Sequence, residues 1–459
     1  MTDVVRTDLG GESQAGGQIL ARLVHISDLH IMDAASPARA EWVELLAHDP
    51  QWADLIHMHR PYELLTAHAL QAHIRHINRH HADVPVDLVV STGDNIDNAQ
   101  RNELDAYLAM MAGGTASLDA TGCLQDFRSA TGGEWPFWLP DIEPDSAVWS
   151  AQWRGGAFID RVNEPIDSDG LMAPWTSVVG NHDVLRQGTS ITNSRLEAIA
   201  MGSYKSTHRA TTCLGQNPLV EFLDFPENFS KGPGWPIAPN PTRRSIDRGE
   251  WLAAHQIAGA RGYESGAGAD TFVDLEHIRL IILDTNHPEG DYQGSIGAQQ
   301  LAWLDERLGE VDAEPGRIAV LASHHGSRSL VNTRGRRPDR LLRDAFHATV
   351  AQHRSVVAWL VGHRHVNKIE PRATTYGGYW EITTCSTIDF PSQHRVLEFV
   401  CHADESIEIR STMVDPVREP GSLSELHAQL AHGFAAADAR SVMSGSARDT
   451  DVRLVVPIK

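Results

Sequence analysis

The chain has 459 residues, 41% of them apolar and 22% charged, and its 60 acidic against 39 basic side chains give a formal net charge of -21. This is ample for a large core and ordinary for a soluble globular protein. A surface this acidic repels a phosphate backbone and argues against nucleic-acid duplex partners unless a local basic patch exists. The densest basic cluster, Arg334, Arg336 and Arg337, is short and reads as a solvated loop.

Four cysteines (Cys123, Cys213, Cys385, Cys401) show no C-x-x-C spacing, which excludes a thiolate zinc site and a disulfide framework and suits a reducing compartment. Residues 1–20 carry no apolar signal core. No apolar run approaches the roughly 18 residues needed to cross a bilayer. The expectation is a soluble, cytoplasmic protein with no membrane partner. Length alone gives a soft prior of about three domains. The residues with ligand chemistry nevertheless run from position 28 to position 365, so the chain reads as one catalytic domain over 20–412. Insertions fall at about 97–172 and 188–268, and residues 413–459 form a C-terminal extension packed on the domain.

In chain order, the apolar run Arg22 to Ser27 leads into Asp28-Leu29-His30. A helical stripe follows over Tyr62 to Asn78, with His73, His76 and His80 along its flank. Their i, i+3, i+7 spacing suits a metal in principle, but no carboxylate or cysteine joins them, so a half-exposed helix face is the better reading. Val86 to Thr92 leads into Gly93-Asp94-Asn95, and Trp175 to Val179 into Gly180-Asn181-His182-Asp183. Thr271 to Leu275 and Ile278 to Asp284 read as strands joined at Glu276-His277 with hairpin character. After a helical pattern at Ala298 to Leu308, Arg317 to Ser323 leads into His324-His325. A second helical pattern at Arg340 to His353 precedes Ser355 to Val361, which leads into Gly362-His363-Arg364-His365. Tyr379 to Thr384 and Val396 to Val400 join the earlier pair as strands expected in a second sheet. Leu423 to Ala437 reads as a helix and Val452 to Ile458 as a last apolar run.

Five of these runs share one grammar: a buried strand, a turn, then ligand-type side chains. In α/β sheets, sites form beyond the carboxyl ends of the strands, where loops from neighbouring strands converge. The two insertions are too long to be structureless, so each is expected to carry its own small structure over the site. Their tryptophans Trp135, Trp138, Trp149, Trp153 and Trp235 have the surface to stack on a base or sugar; anchoring the insertions to the core is the more economical role.

Asp, His and Asn supply oxygen and nitrogen donors suited to zinc, manganese or iron rather than to a copper thiolate site. Two ions side by side need a shared anionic ligand, and a carboxylate has two oxygens with which to bridge; Asp94 is the best such candidate. Asp28-x-His30, Gly93-Asp94, Gly180-Asn181-His182-Asp183, His324 and Gly362-His363-x-His365 together resemble the five ordered motifs of the calcineurin-like metallophosphoesterases. The segments Arg60 to Thr66, Thr92 to Gln100 and Ser386 to Pro391 are similar to an uncharacterised bacterial branch of that family.

The resemblance implies an α/β fold of two packed mixed β-sheets flanked by helices, four layers in all, with metals at one end of the sandwich. It implies Asp28, His30 and His365 on a first metal, Asn181, His324 and His363 on a second, and Asp94 bridging. His324 is preferred to its neighbour His325 because the family's ligand is the first residue after the strand. The implied activity is hydrolysis of small-molecule phosphate mono- or diesters with two divalent or mixed-valence ions (manganese, iron or zinc). A hydroxide generated between the ions would attack phosphorus in line. His182 is then the candidate acid for the leaving group, with Asp183 orienting it. An alternative is a catalytically idle metal-binding scaffold for a protein partner. Protein phosphatases of the family carry an arginine where this chain has Asn98, so their bidentate phosphate grip is missing. Purple acid phosphatases carry a tyrosine where Asp97 stands, so a ferric-tyrosinate centre is not expected.

Overall fold

The computed structural model describes residues 4–46, 49–55, 59–60, 62–118, 160–210, 217–264, 268–437 and 443–457. In chain order its main elements are strands β1 (Val4–Arg6) and β2 (Gln18–Ile26), helix α1 (Thr66–Asp83), β3 (Leu88–Ser91), α2 (Arg101–Ala112), β4 (Trp175–Ser177) and the one-turn α3 (Asn181–Val184). Next come α4 (Arg248–Ile257), β5 (Thr271–Asp274), β6 (Ile278–Leu283), α5 (Ala298–Asp312), β7 (Ile318–Ser323), α6 (Arg343–Val350) and β8 (Val356–Val361). The chain then runs through β9 (Lys368–Thr374), β10 (Gly377–Thr383), β11 (His394–Cys401), β12 (Ile407–Val414), α7 (Leu423–Ala437) and β13 (Val452–Val456).

The strands make two mixed sheets. One has seven strands in the order β1-β13-β12-β11-β2-β3-β4; the other has six in the order β5-β6-β7-β8-β10-β9. Strand alternation builds the layers. Leu23, Leu88, Val90, Leu280, Ile282, Val320 and Leu360 point inward into the core between the sheets. Val24 and Val89 face outward against Leu70, Ile74 and Ile77 of α1. Ile281, Leu283 and Leu321 face the other way, against Leu304 and Leu308 of α5 and Phe346 of α6. Helix, sheet, sheet, helix: the four layers are present.

Register decides where the site falls. Ile26 is level with Ser91, and Ser91 with Ser177, in the parallel ladder β2-β3-β4. Leu283 is level with Ser323, and Ala322 with Leu360, in the second sheet. The loops after β2, β3, β4, β7 and β8 therefore leave from the ends of two facing ladders.

Several expectations are corrected. Val396–Val400 lies in β11 of the first sheet, antiparallel to β2, and not in the second. A β-branched run records that a segment is a strand but not which sheet it joins. The helix expected over Arg340–His353 spans only Arg343–Val350, because Arg340 and Leu341 pair with Gly297 and Ile296. The spans read as insertions do not lie wholly over the site. Leu104, Tyr107 and Met111 of α2, with Trp251 and Ala254 of α4, pack on the same outer cluster as α1. His73 is fully buried rather than half-exposed, its Nδ1 3.0 Å from Nδ1 of His394. Trp135, Trp138, Trp149 and Trp153, and the side chain of Trp235, lie outside the described residues. No described helix is long and apolar enough to cross a membrane.

Candidate metal centre

The residues just past β2, β3 and β8 share a backbone feature. Asp28, His30, Asp94, His363 and His365 all have positive φ, between 42° and 67°. For a residue with a Cβ this left-handed conformation costs of order 1–3 kcal/mol and persists only where the surroundings over-determine it, as at functional sites. Here each sharp turn brings a side chain to one spot. Nearby, Gly180 approaches so closely that a Cβ there would stand 2.2 Å from Oδ1 of Asp94.

Two overlapping clusters result. In the first, Nε2 of His365 is 3.2 Å from Oδ1 of Asp28 and 3.3 Å from Nε2 of His30. In the second, Nε2 of His324 is 3.1 Å from Oδ2 of Asp94 and 3.3 Å from Nδ1 of His363. Asp94 stands between them, its Oδ2 also 3.8 Å from Nε2 of His30. Asp28, His30 and His365 could hold one ion, and Asp28, Asp94 and His324 offer ligand atoms to another.

Asn181 tests whether a cation fits. Its Nδ2 donates to the carbonyl of Gly188 at 3.0 Å, which orients the amide. Its Oδ1 is buried with no hydrogen-bond partner. An orphaned buried acceptor costs about 1–3 kcal/mol, and a metal ion is a group that would satisfy it. The other donors agree, since the far nitrogen of each of three imidazoles is fixed by an acceptor. Nδ1 of His324 meets the carbonyl of Thr92 at 2.8 Å, Nδ1 of His30 meets Asp97 at 3.0 Å, and Nδ1 of His365 meets Asp389 at 2.5 Å. This is how ligating histidines are usually held.

Charges in the cluster support each other. Burial opposes ionisation of Asp94, yet His324 and His182 hold its carboxyl well below the usual range. Burial likewise opposes charging of His324 and His365, but Asp94 and Asp28 respectively raise each to about 9. His325, by contrast, has both nitrogens engaged, Nδ1 with Thr285 Oγ1 at 2.9 Å and Nε2 with the Tyr292 carbonyl at 3.0 Å. His324 is the better placed of the pair.

His182 is partly exposed, with Nε2 4.0 Å from Oδ2 of Asp94. The expected partner Asp183 does not orient it. Asp183 is turned inward, accepting from Gly180 N at 2.7 Å, Asn95 Nδ2 at 3.0 Å and Ile96 N at 3.2 Å. Adjacent residues on the one-turn helix α3 point in different directions, so Asp183 ties the β3 and β4 loops together. Asp97 lies against the imidazole instead, its backbone carbonyl hydrogen-bonded to Nδ1 of His182 at 3.0 Å and its Oδ1 2.9 Å from the same nitrogen. With burial opposing, Asp94 and then Asp97 raise the pKa of His182. Arg39 pairs with the other oxygen of Asp97 and reaches Glu63 at 2.7 Å. Asn98 donates to Glu103 at 2.6 Å.

Sequence reasoning also missed Asp389. It accepts from Arg60 Nε at 2.7 Å and Tyr62 Oη at 2.5 Å while holding His365. The segments Arg60 to Thr66 and Ser386 to Pro391 carried the signal: both stood out in the sequence, and here they meet behind a candidate ligand.

Fold and donor set together support a metal-dependent phosphoesterase. The sequence profile of the calcineurin-like phosphoesterases matches residues 21–367, and the chain belongs to that family. No curated protein sequence is a significant match. Solved structures similar to the chain include a dimetal phosphatase from Danio rerio, 14% identical over 87% of this chain and 100% of that one, with a TM-score of 0.40. Another is the sulfate thiohydrolase SoxB from Thermus thermophilus, 13% identical over 94% of this chain and 62% of that one, TM-score 0.33. A 5'-nucleotidase from Candida albicans is 10% identical over 92% of this chain and 59% of that one, TM-score 0.31.

Proposed function

We propose that the chain hydrolyses small-molecule phosphate mono- or diesters at a centre of two divalent or mixed-valence ions (manganese, iron or zinc). In this reading Asp28, His30 and His365 hold one ion, Asn181, His324 and His363 the other, and Asp94 both. The observation that carries it is the position of Asp94 between two clusters of inward-turned donors; the Oδ1 of Asn181, the residue before the His182 nitrogen that donates to Asp94, is buried and unpaired. When bound, such a pair supplies Lewis acidity toward the phosphate and a water acidic enough to react near neutral pH.

The rest falls to the chain's own side chains. His182 gives a proton from Nε2 to the departing oxygen. Asp97 keeps that proton available by accepting from Nδ1 and favouring the imidazolium. Asp183 acts by fixing the loops, not by touching the imidazole. The test is hydrolysis of bis-nitrophenyl phosphate and nitrophenyl phosphate after chelation and reloading with manganese, zinc or iron. Turnover that depends on metal and disappears in Asp94→Ala is expected. Metal bound without turnover of either ester would favour the idle scaffold.

A further inference from the structure

Two of the ligand-bearing loops continue past the metal centre and line an open cavity of about 430 Å³. The stretch after His324-His325 supplies Gly326, Arg328 and Ser329 to one wall. The turn that carries His363 and His365 supplies Gly362 and Arg364 to the other, and Lys368 extends it. Three cations thus gather at one opening of a chain whose net charge is -21.

Their states differ. Arg328 pairs with Glu370 at 3.0 Å, and Lys368 with Asp449 at 3.2 Å. Glu370 is itself a wall residue, and the second wall carboxylate, Glu381, is taken by Arg372 at 2.6 Å and by Ser327. Arg364 is exposed, and its guanidinium has no hydrogen bond or ion pair among the described residues. Its backbone nitrogen is fixed, donating to the Gly362 carbonyl at 2.8 Å, so the turn that sets both flanking histidines also sets the origin of this side chain. The guanidinium itself is unengaged among the described residues, and its planar fork suits phosphate or carboxylate oxygens.

We propose that this cavity is a second-anion subsite: the preferred substrates are phosphoesters that carry another anionic group, phosphate or carboxylate, which Arg364 receives with Arg328 and Lys368 behind it. The inference deepens the function proposed above and rests on it. With the guanidinium exposed, its charge-assisted bond to a second anion is screened, and a preference of about 3- to 10-fold in kcat/KM is expected. The subsite is open to solvent, and the preference should shrink as salt is raised.

The test compares matched pairs on the metal-loaded full chain: fructose 1,6-bisphosphate against fructose 6-phosphate for a second phosphate, and 3-phosphoglycerate against glycerol 3-phosphate for a carboxylate. Wild type should favour the bis-anionic member of at least one pair, mainly through KM, and the arm that responds identifies the anion. Arg364→Glu should abolish or invert that ratio, and Arg328→Glu, independently, should reduce it. Both sites are exposed, and thermal melting checks that each variant folds. No preference in either pair, or a preference that survives both reversals, overturns the subsite while nitrophenyl ester hydrolysis still upholds the phosphoesterase. No hydrolysis of any ester overturns both.

Discussion

Gly188 offers a sharp test of the geometry around His182. It sits at a φ of +63°, and a Cβ added there would lie 2.2 Å from Nδ2 of Asn181, 2.2 Å from Cδ2 of His182 and 2.4 Å from its Nε2. Ordinary contact begins at 3.4 Å, so in Gly188→Ala the imidazole must retreat by about 1 Å. A misplacement of that size costs about 10²-fold in rate when the displaced group takes part in the chemistry. The left-handed backbone adds about 1–2 kcal/mol of strain, which lowers the melting temperature without abolishing the fold. Steady-state kinetics on an alkyl phosphate and on nitrophenyl phosphate are the assay. The loss should fall on kcat and be larger for the alkyl ester, whose leaving group needs the proton more. In a His182→Ala background the same substitution should cost less than it does alone, the remaining loss coming through Asn181, whose Nδ2 the new Cβ also crowds. A kcat within threefold of wild type, or full additivity with His182→Ala, would refute the reasoning.

Other expectations follow from the same contacts. His182→Ala should retain metal and lose about 10²–10⁴ in rate on alkyl phosphates, less on nitrophenyl esters; equal losses on both would remove His182 from the acid role. Asp97→Asn should reproduce much of that loss and weaken the site through His30, whereas Asp183→Asn should chiefly lower the melting temperature; the reverse pattern in kcat and melting curves would restore Asp183 as the orienting group. Asp389→Asn should lower metal affinity by about 10- to 100-fold, read by titration of the chelated protein, because His365 loses the acceptor that fixes its ring. Away from the site, Asp312 and Asp305 flank His353 at 2.8 and 3.0 Å and, against partial burial, raise its pKa. Stability from a raised pKa is fully present below the unfolded value and fades as pH rises through the folded one. His353→Ala should therefore cost more at pH 5.5 than at pH 9, by less than about 1 kcal/mol since Asp305 is more than half exposed; equal melting shifts at both would contradict it.

Much of this architecture is legible in the chain because the ligand-bearing strands are local signals. Each apolar run ends level with its neighbours, so Asp28, Asp94 and Asn181 leave one ladder together, and His324 and His363 leave the other. What is not local is harder to read. The run at Val396 is a strand on its own evidence, but its place beside β2 depends on the crossing made by residues 384–393. Asp183 looks like the partner of His182 because it is next in sequence. Asp97, 85 residues earlier, is next to it in space, and its spacing from Asp94 was read only for the tyrosine it lacks. Arg60 and Tyr62 lie more than 300 residues from Asp389 yet share its carboxylate. Only the peculiarity of their segments hinted that they belong together.

The most direct measurement of the central claim is metal stoichiometry coupled to activity on chelated and reloaded protein. The account predicts two ions per chain at full activity, and loss of bound metal together with turnover in Asp94→Ala. Full activity after complete chelation, or two ions and unchanged turnover in Asp94→Ala, would contradict it.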